Sequence, residues 1–245
     1  MMDSFEIKEI NDYISYIPAC EKPLSGDVGI IYGKNRTYIY DVGSTIGTLE
    51  FLNSIKGEFA IVTSHFHADH IWWLSEHKKG DAGVSRGDRI STDYLRPSYS
   101  ELYVSAQTKK YTNDGIVVSE PLIIEDETRN GQPLKLEIYP LPSSHAKGCL
   151  ALIVNDEYVF LGDASYCTWK EAGMGEGEEA APGKGRAEYN VQQVKAQLDF
   201  FQSIPAEKLC LSHDRKFVRP KKVLIRELQA LYASREAGKN IIVVR

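Results

Sequence analysis

Short apolar runs separated by polar turns dominate the chain and predict a fold rich in β-strands. The predicted strands cover residues 28–32, 37–40, 59–63, 116–118, 122–124, 136–141, 149–154, 158–161, 208–211 and 241–244. Two pairs of them enclose polar turns, at residues 33–36 and 155–157, and are expected to form β-hairpins. The predicted helices run from Ser44 or Thr45 to about residue 55, with Gly57 as a stop signal, and over 189–203 and 223–237.

Two segments lack a clear period. Residues 78–115 mix Gly, Ser, Asp, Lys and Tyr, and we expect a loop with room for one helix. Residues 171–187 are rich in Gly, Glu, Ala and Pro and are expected to form a mobile surface loop, either a lid or a plain excursion. Because strands and helices alternate irregularly, the pattern predicts sheets covered by helices. No linker or repeat divides the chain, so residues 1–245 are predicted to form a single domain.

Composition is that of a soluble globular protein, with 42% hydrophobic and 26% charged residues. No stretch approaches the ~20 apolar residues of a membrane helix, and residues 1–6 show no start of a secretory signal. We therefore expect a cytoplasmic protein with no membrane partner. The formal charge of −5 gives no sign of a broad nucleic-acid-binding face, which leaves a small molecule as the expected partner. The four cysteines form no CxxC pair, and most are expected in the core.

Three of the six histidines lie within six residues, directly after the predicted strand 59–63. The segment His65-Phe66-His67-Ala68-Asp69-His70 places four imidazole or carboxylate groups in six positions. Imidazole nitrogen and carboxylate oxygen are the ligands that zinc and similar divalent ions accept. A turn here can direct His65 and His67 to one position while Asp69 and His70 reach a second. The segment therefore predicts a metal site.

Three further candidate ligands stand alone in the sequence. His145, Asp163 and His213 each follow a predicted strand at its C-terminal end. A single residue of this kind is more typical of a surface or capping position. Their shared position, where the edge of a sheet meets solvent, favours a joint role with the histidine cluster.

With these residues together, the sequence resembles the metallo-β-lactamase superfamily. The matching elements, in the expected order, are Asp41 after a strand, the HxHxDH pattern at residues 65–70, His145, Asp163 and His213. They lie within residues 28–215, and Gly148 resembles the superfamily's usual His-x-x-Gly turn. The resemblance implies an α/β (α+β) fold, an αβ/βα four-layer sandwich with two mixed β-sheets flanked by helices.

The resemblance also implies a dinuclear metal centre. One divalent ion would be held by His65, His67 and His145. The second would be held by Asp69, His70 and His213, and Asp163 would bridge the two. Asp41 would bind no metal but would orient the ligand loop through hydrogen bonds. Zinc is the favoured metal, although the same ligands accept iron or manganese.

The implied chemistry is hydrolysis by a hydroxide that bridges two divalent ions, which lower the pKa of their shared water towards about 7. We therefore expect a metal-dependent hydrolase of a small ester, thioester or lactone. The expected catalytic residues are Asp69 and His70, together with Tyr166. The tyrosine stands where some lactonases of the superfamily place a residue that assists the oxyanion.

Three alternative functions stay open. A phosphodiesterase of the same fold would use the same ions. An iron persulfide dioxygenase would use one iron, held by His65 or His67 with His145 and Asp163. A non-catalytic metal-binding module would turn over no substrate. Cleavage of β-lactams is disfavoured, because true β-lactamases of the superfamily usually have Cys or Ser near the position of Asp163.

The roles of several residues near the predicted ligands are ambiguous. Trp72 and Trp73 could line a pocket or belong to the core. Lys147 and Arg215 could bind an anionic group, although a solvated charge is the slightly favoured interpretation of each. Cys167 has no base beside it in the sequence and is expected to be structural. The remaining histidine, His77, matches no part of the pattern and is expected at the surface.

Overall fold

Two large β-sheets form the centre of the molecule. The computed structural model describes residues 6–75, 97–164, 187–214 and 216–244. The strands up to residue 117 are β1 (Lys8–Asn11), β2 (Ile14–Ile17), β3 (Cys20–Glu21), β4 (Leu24–Ser25), β5 (Val28–Tyr32), β6 (Thr37–Tyr40), β7 (Phe59–Val62), β8 (Glu101–Val104) and β9 (Ile116–Val117). The later strands are β10 (Leu122–Glu127), β11 (Pro133–Leu141), β12 (Cys149–Val154), β13 (Tyr158–Gly162), β14 (Ala187–Asn190), β15 (Lys208–Leu211), β16 (Val218–Pro220) and β17 (Ile241–Val244).

The helices lie mostly outside these sheets. They are α1 (Ile46–Ser54), α2 (Ala68–Ile71), which continues into the 3₁₀ turn Trp72–Leu74, α3 (Lys109–Thr112), α4 (Val191–Ser203) and α5 (Lys221–Ala233). Among the residues that the structure describes, no helix is long and apolar enough to cross a membrane.

Both large sheets are mixed. The first has the strand order β1-β2-β5-β6-β7-β8-β9, antiparallel as far as β6 and parallel from there on. The second has the order β10-β11-β12-β13-β15-β16, and its only parallel pair among the described strands is β13 with β15. Two short pairs, β3 with β4 and β14 with β17, complete the strands.

Alternating side chains give each large sheet two apolar faces, and these define four layers. In β5, Ile31 joins the buried cluster between the two sheets, whereas Ile30 joins the cluster under α1. In β13, Phe160 likewise packs between the sheets, and Leu161 packs on the other side with residues of α4 and α5. The layers are therefore helix, sheet, sheet and helices, which confirms the predicted αβ/βα sandwich.

Local sequence signals account for the hairpins and for the first helix. β5 pairs with β6 and β12 with β13, both antiparallel, so both predicted hairpins are confirmed. Asn155 and Asp156 have positive φ in the second turn, a conformation that these two residue types tolerate. Thr45 caps α1 by accepting a hydrogen bond from the Thr48 N–H.

Two predicted helix boundaries and one predicted loop were wrong. The helix predicted from residue 189 begins at Val191, because Ala187–Asn190 pairs with β17 and the Asn190 side chain caps α4. The helix predicted over 223–237 spans Lys221–Ala233. Segment 78–115 was predicted as a loop with room for one helix; its described part, from residue 97, holds one helix, α3, but also the unpredicted strand β8, which pairs between β7 and β9. Most of the predicted mobile loop 171–187 lies outside the described residues, and its last residue begins β14.

Candidate metal centre

All seven predicted ligand residues lie at one edge of the two sheets, in two groups. The histidine cluster follows the C-terminal end of β7, and His67 is the N-terminal cap residue of α2. His145 follows β11, Asp163 follows β13 and His213 follows β15. Because the carboxyl ends of these strands meet at the same edge, residues far apart in the sequence become neighbours.

The first group consists of three histidines. The Nε2 atom of His145 lies 3.2 Å from Nε2 of His65 and 3.0 Å from Nδ1 of His67. Burial and the neighbouring His70 lower the pKa of His65, and burial also lowers the pKa of His67 and of His145. Neutral imidazole is the form that binds metal. The group therefore presents three nitrogen ligands in their binding state.

The second group combines histidines with carboxylates. The Oδ2 atom of Asp69 lies 3.0 Å from Nε2 of His213 and 3.4 Å from Nε2 of His70. Nε2 of His70 also lies 3.3 Å from Oδ2 of Asp163. One ligand atom from each of these four residues lies within 4.8 Å of the others.

Asp163 lies between the two groups. Its Oδ2 atom is 3.3 Å from Nε2 of His70 and 3.4 Å from Nε2 of His145. Burial alone would raise the pKa of Asp163, but the surrounding histidines, His70 above all, hold it below its usual range. Burial opposes a charge on His70 as well, yet Asp163 and Asp41 raise its pKa well above the ordinary value. The buried carboxylates thus stabilise a positive charge at this position.

Two polar atoms of the second group have no hydrogen-bond partner among the residues that the structure describes. Nε2 of His70 and Oδ1 of Asp163 are both buried and unsatisfied. An unpaired buried polar group costs about 1–3 kcal/mol, so such atoms usually have a partner. A divalent cation would satisfy both, and the nitrogen and oxygen ligands suit ions such as zinc, iron and manganese. The residues present therefore fit a metal centre.

Asp41 lies behind the ligands, as predicted. Its Oδ2 faces Nδ1 of His70 at 2.8 Å, and its Oδ1 accepts a hydrogen bond from the Ser64 N–H at 2.6 Å. A proton held at Nδ1 leaves the Nε2 lone pair of His70 directed at the centre. Ser64 has a similar position behind His65, with Oγ 2.8 Å from Nδ1. Asp41 is fully buried and adopts a positive φ of 61°, which aspartate tolerates better than most residues.

Sequence reasoning missed Ser64, Gly26 and Asp27. Oδ2 of Asp27 accepts a hydrogen bond from the His213 N–H at 2.9 Å. Burial raises the pKa of Asp27 to about 6, although the N–H groups of His213 and Ala19 oppose this. The only signal in the sequence is an acidic residue directly before a strand, which by itself is more typical of a capping position.

The structure locates several of the residues whose roles are ambiguous in the sequence. Trp72 and Trp73 are buried in the core under the first sheet, and the indole N–H of Trp73 donates to the Thr45 carbonyl at 3.1 Å. Cys149 and Cys210 are buried core residues. The side chain of Lys147 is exposed. Four other residues lie outside the described part of the chain: His77, Tyr166, Cys167 and Arg215.

Two aromatic rings lie beside the first group. Phe66 meets the His67 ring edge-on, with centroids 4.9 Å apart, and stacks on Tyr111 of α3, also at 4.9 Å. Tyr111 is 43% exposed. The pair places an apolar surface next to the candidate ligands.

Comparison with known proteins identifies the family. The family model described as the metallo-beta-lactamase superfamily matches residues 22–213, so the chain belongs to that superfamily and the predicted resemblance is confirmed. None of the curated proteins matches the chain.

Solved structures share the fold at low sequence identity. A metallo-beta-lactamase superfamily protein from Sulfolobus tokodaii is 17% identical, with a TM-score of 0.57 over 93% of this chain and 89% of the other. A metallo-beta-lactamase from Pontibacter korlensis is 16% identical, with a TM-score of 0.59 over 92% and 99% of the two chains. A flavo di-iron protein variant from Thermotoga maritima is 11% identical, with a TM-score of 0.60 over 96% and 63%. At these identities the likeness shows the fold alone.

Proposed function

We propose that the protein is a metal-dependent hydrolase that acts on a small ester, thioester or lactone. The observation that carries the proposal is the pair of ligand groups at one sheet edge, with Asp163 between them. His65, His67 and His145 would hold one divalent ion. Asp69, His70 and His213 would hold a second, and Asp163 would contact both. Zinc is the metal we favour.

Bound ions of this kind would acidify a water molecule and stabilise negative charge on a substrate oxygen. The chain's own residues prepare the site for that chemistry. Asp41 accepts a hydrogen bond from the Nδ1–H of His70. This contact fixes the ring with Nε2 directed towards the centre. The three histidines of the first group are held neutral by burial and so are ready to bind.

We assign the movement of a proton to Asp69. Its side chain is 17% exposed, against 8% for Asp163, so it is the more accessible carboxylate of the second group. Burial opposes its ionisation, but the hydrogen bond from His213 and the charge of His70 hold its pKa below the ordinary value. The carboxylate of Asp69 is therefore ionised and can orient a water molecule; it can also accept a proton, as a weaker base than a free aspartate. Tyr166 is proposed as a further donor to the substrate oxygen.

The number of converging ligands favours two ions over one. A dioxygenase with a single iron would need His65 or His67, His145 and Asp163, and would give Asp69, His70 and His213 no role. The ligand atoms of these last three instead lie close to one another, and within the described part of the chain the buried Nε2 of His70 makes no hydrogen bond.

A small, partly apolar substrate suits the surroundings of the site. The Phe66–Tyr111 pair offers an apolar surface for an acyl group beside His67. The net charge of −5 does not favour a polyanionic substrate. Asp163 disfavours β-lactams, because it stands where true β-lactamases of the superfamily usually have Cys or Ser.

The test is a substrate screen with protein of known metal content. Metal-free protein is reloaded with zinc, manganese or iron, the bound metal is measured by elemental analysis, and each form is assayed on thioesters, lactones, simple esters, phosphodiesters and β-lactams. We expect two ions per chain and turnover of an ester, thioester or lactone. One iron per chain with oxygen uptake on a persulfide, or two ions without turnover of any substrate, would contradict the proposal.

A further inference from the structure

Gly26 and Asp27 contact the second ligand group from behind. They lie directly before β5, and the Gly26 N–H donates to the backbone carbonyl of Asp69 at 2.9 Å. The Cα of Gly26 packs on the ring of His70 so closely that an added Cβ would lie 2.7 Å from Cε1. Asp27 in turn holds His213 by its backbone N–H. Two consecutive residues therefore contact all three residues that we assign to the second ion alone, Asp69 and His213 through the backbone and His70 through its ring.

Asp27 is held in place by a buried hydrogen-bond network. Its Oδ1 accepts from the Ala19 N–H at 3.0 Å, and its own N–H donates to Oγ of Ser212 at 2.9 Å. The Ser212 hydroxyl also lies 3.3 Å from Oδ2, the atom that accepts from His213. Asp27 precedes a strand of the first sheet and His213 follows a strand of the second, so the network ties the two sheets together at the site.

The backbone of His213 needs this support. Its φ is +58°, in the left-handed region that is strained for a residue with a Cβ. A hydrogen bond from its N–H to a buried carboxylate can offset that strain. Without Asp27, the backbone of His213 is free to relax, and Nε2 would lose its place opposite Asp69.

We propose that Gly26 and Asp27 are positioning residues for the second ion and set how tightly the chain holds it relative to the first. The proposal rests on the proposed two-ion centre. In the described part of the chain, their contacts with candidate ligands all go to Asp69, His70 and His213. Loss of a residue that orients a metal ligand typically lowers the affinity for the metal by 10–100-fold. We expect the affinity for the second ion to fall by about that factor and the affinity for the first to stay unchanged.

The test measures the two ions separately. Metal-free wild type, Asp27→Asn and Gly26→Ala are titrated with Zn²⁺ against a chromophoric chelator, and the bound metal is counted by elemental analysis. Titration with Co²⁺ adds an absorption spectrum for each step. Asparagine keeps the size of Asp27 but offers one acceptor oxygen instead of two. Alanine at Gly26 places a Cβ against the His70 ring, whose Nδ1 is held by Asp41.

Asp126→Asn is the matched control. Asp126 lies in β10 of the second sheet and accepts hydrogen bonds from Asn35 at 2.7 Å and from the Tyr38 hydroxyl of the first sheet at 3.1 Å. It is therefore another carboxylate that links the two sheets, but its contacts within the described residues include none of the candidate ligands. A general loss of stability would affect this variant as well, whereas a positioning effect would not.

The expected result is selective loss of the second ion in Asp27→Asn and Gly26→Ala, with wild-type binding in Asp126→Asn. Variants that hold both ions as tightly as the wild type would overturn the proposal, as would equal weakening of both ions or the same loss in the control. If Asp27→Asn does not fold, Gly26→Ala decides by the same criteria. A wild type that binds fewer than two ions contradicts the proposed function itself, which separates that failure from this one.

Discussion

Changing Asp41 to Asn would test how the chain prepares His70 for metal. Asparagine keeps the volume of the side chain, tolerates the positive φ of 61° and can still accept from the Ser64 N–H through its oxygen. The amide nitrogen then replaces Oδ2 opposite Nδ1 of His70, now 2.8 Å away. Because an amide N–H only donates, the neutral ring must accept at Nδ1 and carry its proton at Nε2. That proton occupies the lone pair assigned to the ion.

The size of the effect follows from the contact that is lost. A hydrogen bond to a charged group contributes about 1.5–3 kcal/mol. At about 1.4 kcal/mol for each factor of ten, this corresponds to roughly 10–100-fold in affinity. Measured losses for residues that orient metal ligands fall in the same range. We therefore expect Asp41→Asn to lower the affinity for the second ion by about that factor, while the hydrogen bond from the Ser64 N–H is kept.

Competition with a chromophoric chelator measures this loss directly, and thermal melting of the metal-free proteins reports on the fold. Asp41→Ala serves as the harsher partner, because it also leaves the buried Ser64 N–H without its acceptor and places alanine at a positive φ. It should melt at a lower temperature than Asp41→Asn. Wild-type affinity for both ions in Asp41→Asn would refute the argument from the His70 tautomer.

Three further results are expected. Asp163→Ala should lower the metal content from two ions towards one and abolish hydrolysis, and two ions with full activity would contradict its position between them. Phe201→Ala removes a fully buried ring from the core beneath α4. Chemical denaturation should show that the free energy of unfolding falls by about 3–5 kcal/mol, with the metal content unchanged. A fall of less than about 1 kcal/mol would contradict the packing. Burial raises the pKa of Cys149 to about 12 and that of Cys210 well above its ordinary value. At about pH 8 both should therefore stay protonated and resist iodoacetamide in the native protein, and rapid labelling of either, mapped by mass spectrometry, would contradict their burial.

The elements that the sequence predicted well are those with strong local signals. β12 is an unbroken apolar run and is buried throughout, and the turn after it has two residues suited to positive φ. Two of the strands that were missed, β8 and β14, depend on distant partners. β14 continues the helical spacing of α4, and only its pairing with β17 makes it a strand. β8 is short and follows a stretch without a period, so its place between β7 and β9 is visible only in the sheet.

The candidate site shows the same contrast between local sequence signals and contacts with distant residues. Residues 65–70 crowd several ligand types together, and His145, Asp163 and His213 share a position after apolar runs, so each could be predicted as a ligand. Asp27 could not. Its partner His213 is 186 positions away, and an aspartate before a strand has many ordinary explanations. Only the packing of the two sheets shows what it contacts.

The wide separation of Asp27 and His213 also bears on how the protein is made. Contacts between distant residues form late, because closing a long loop costs entropy that only extensive packing offsets. On a growing chain, the three-histidine group is complete once residue 145 has been added, whereas the second group must wait for residue 213. If the proposed centre binds two ions, the position that Asp27 supports is therefore the last to have all of its ligands synthesised.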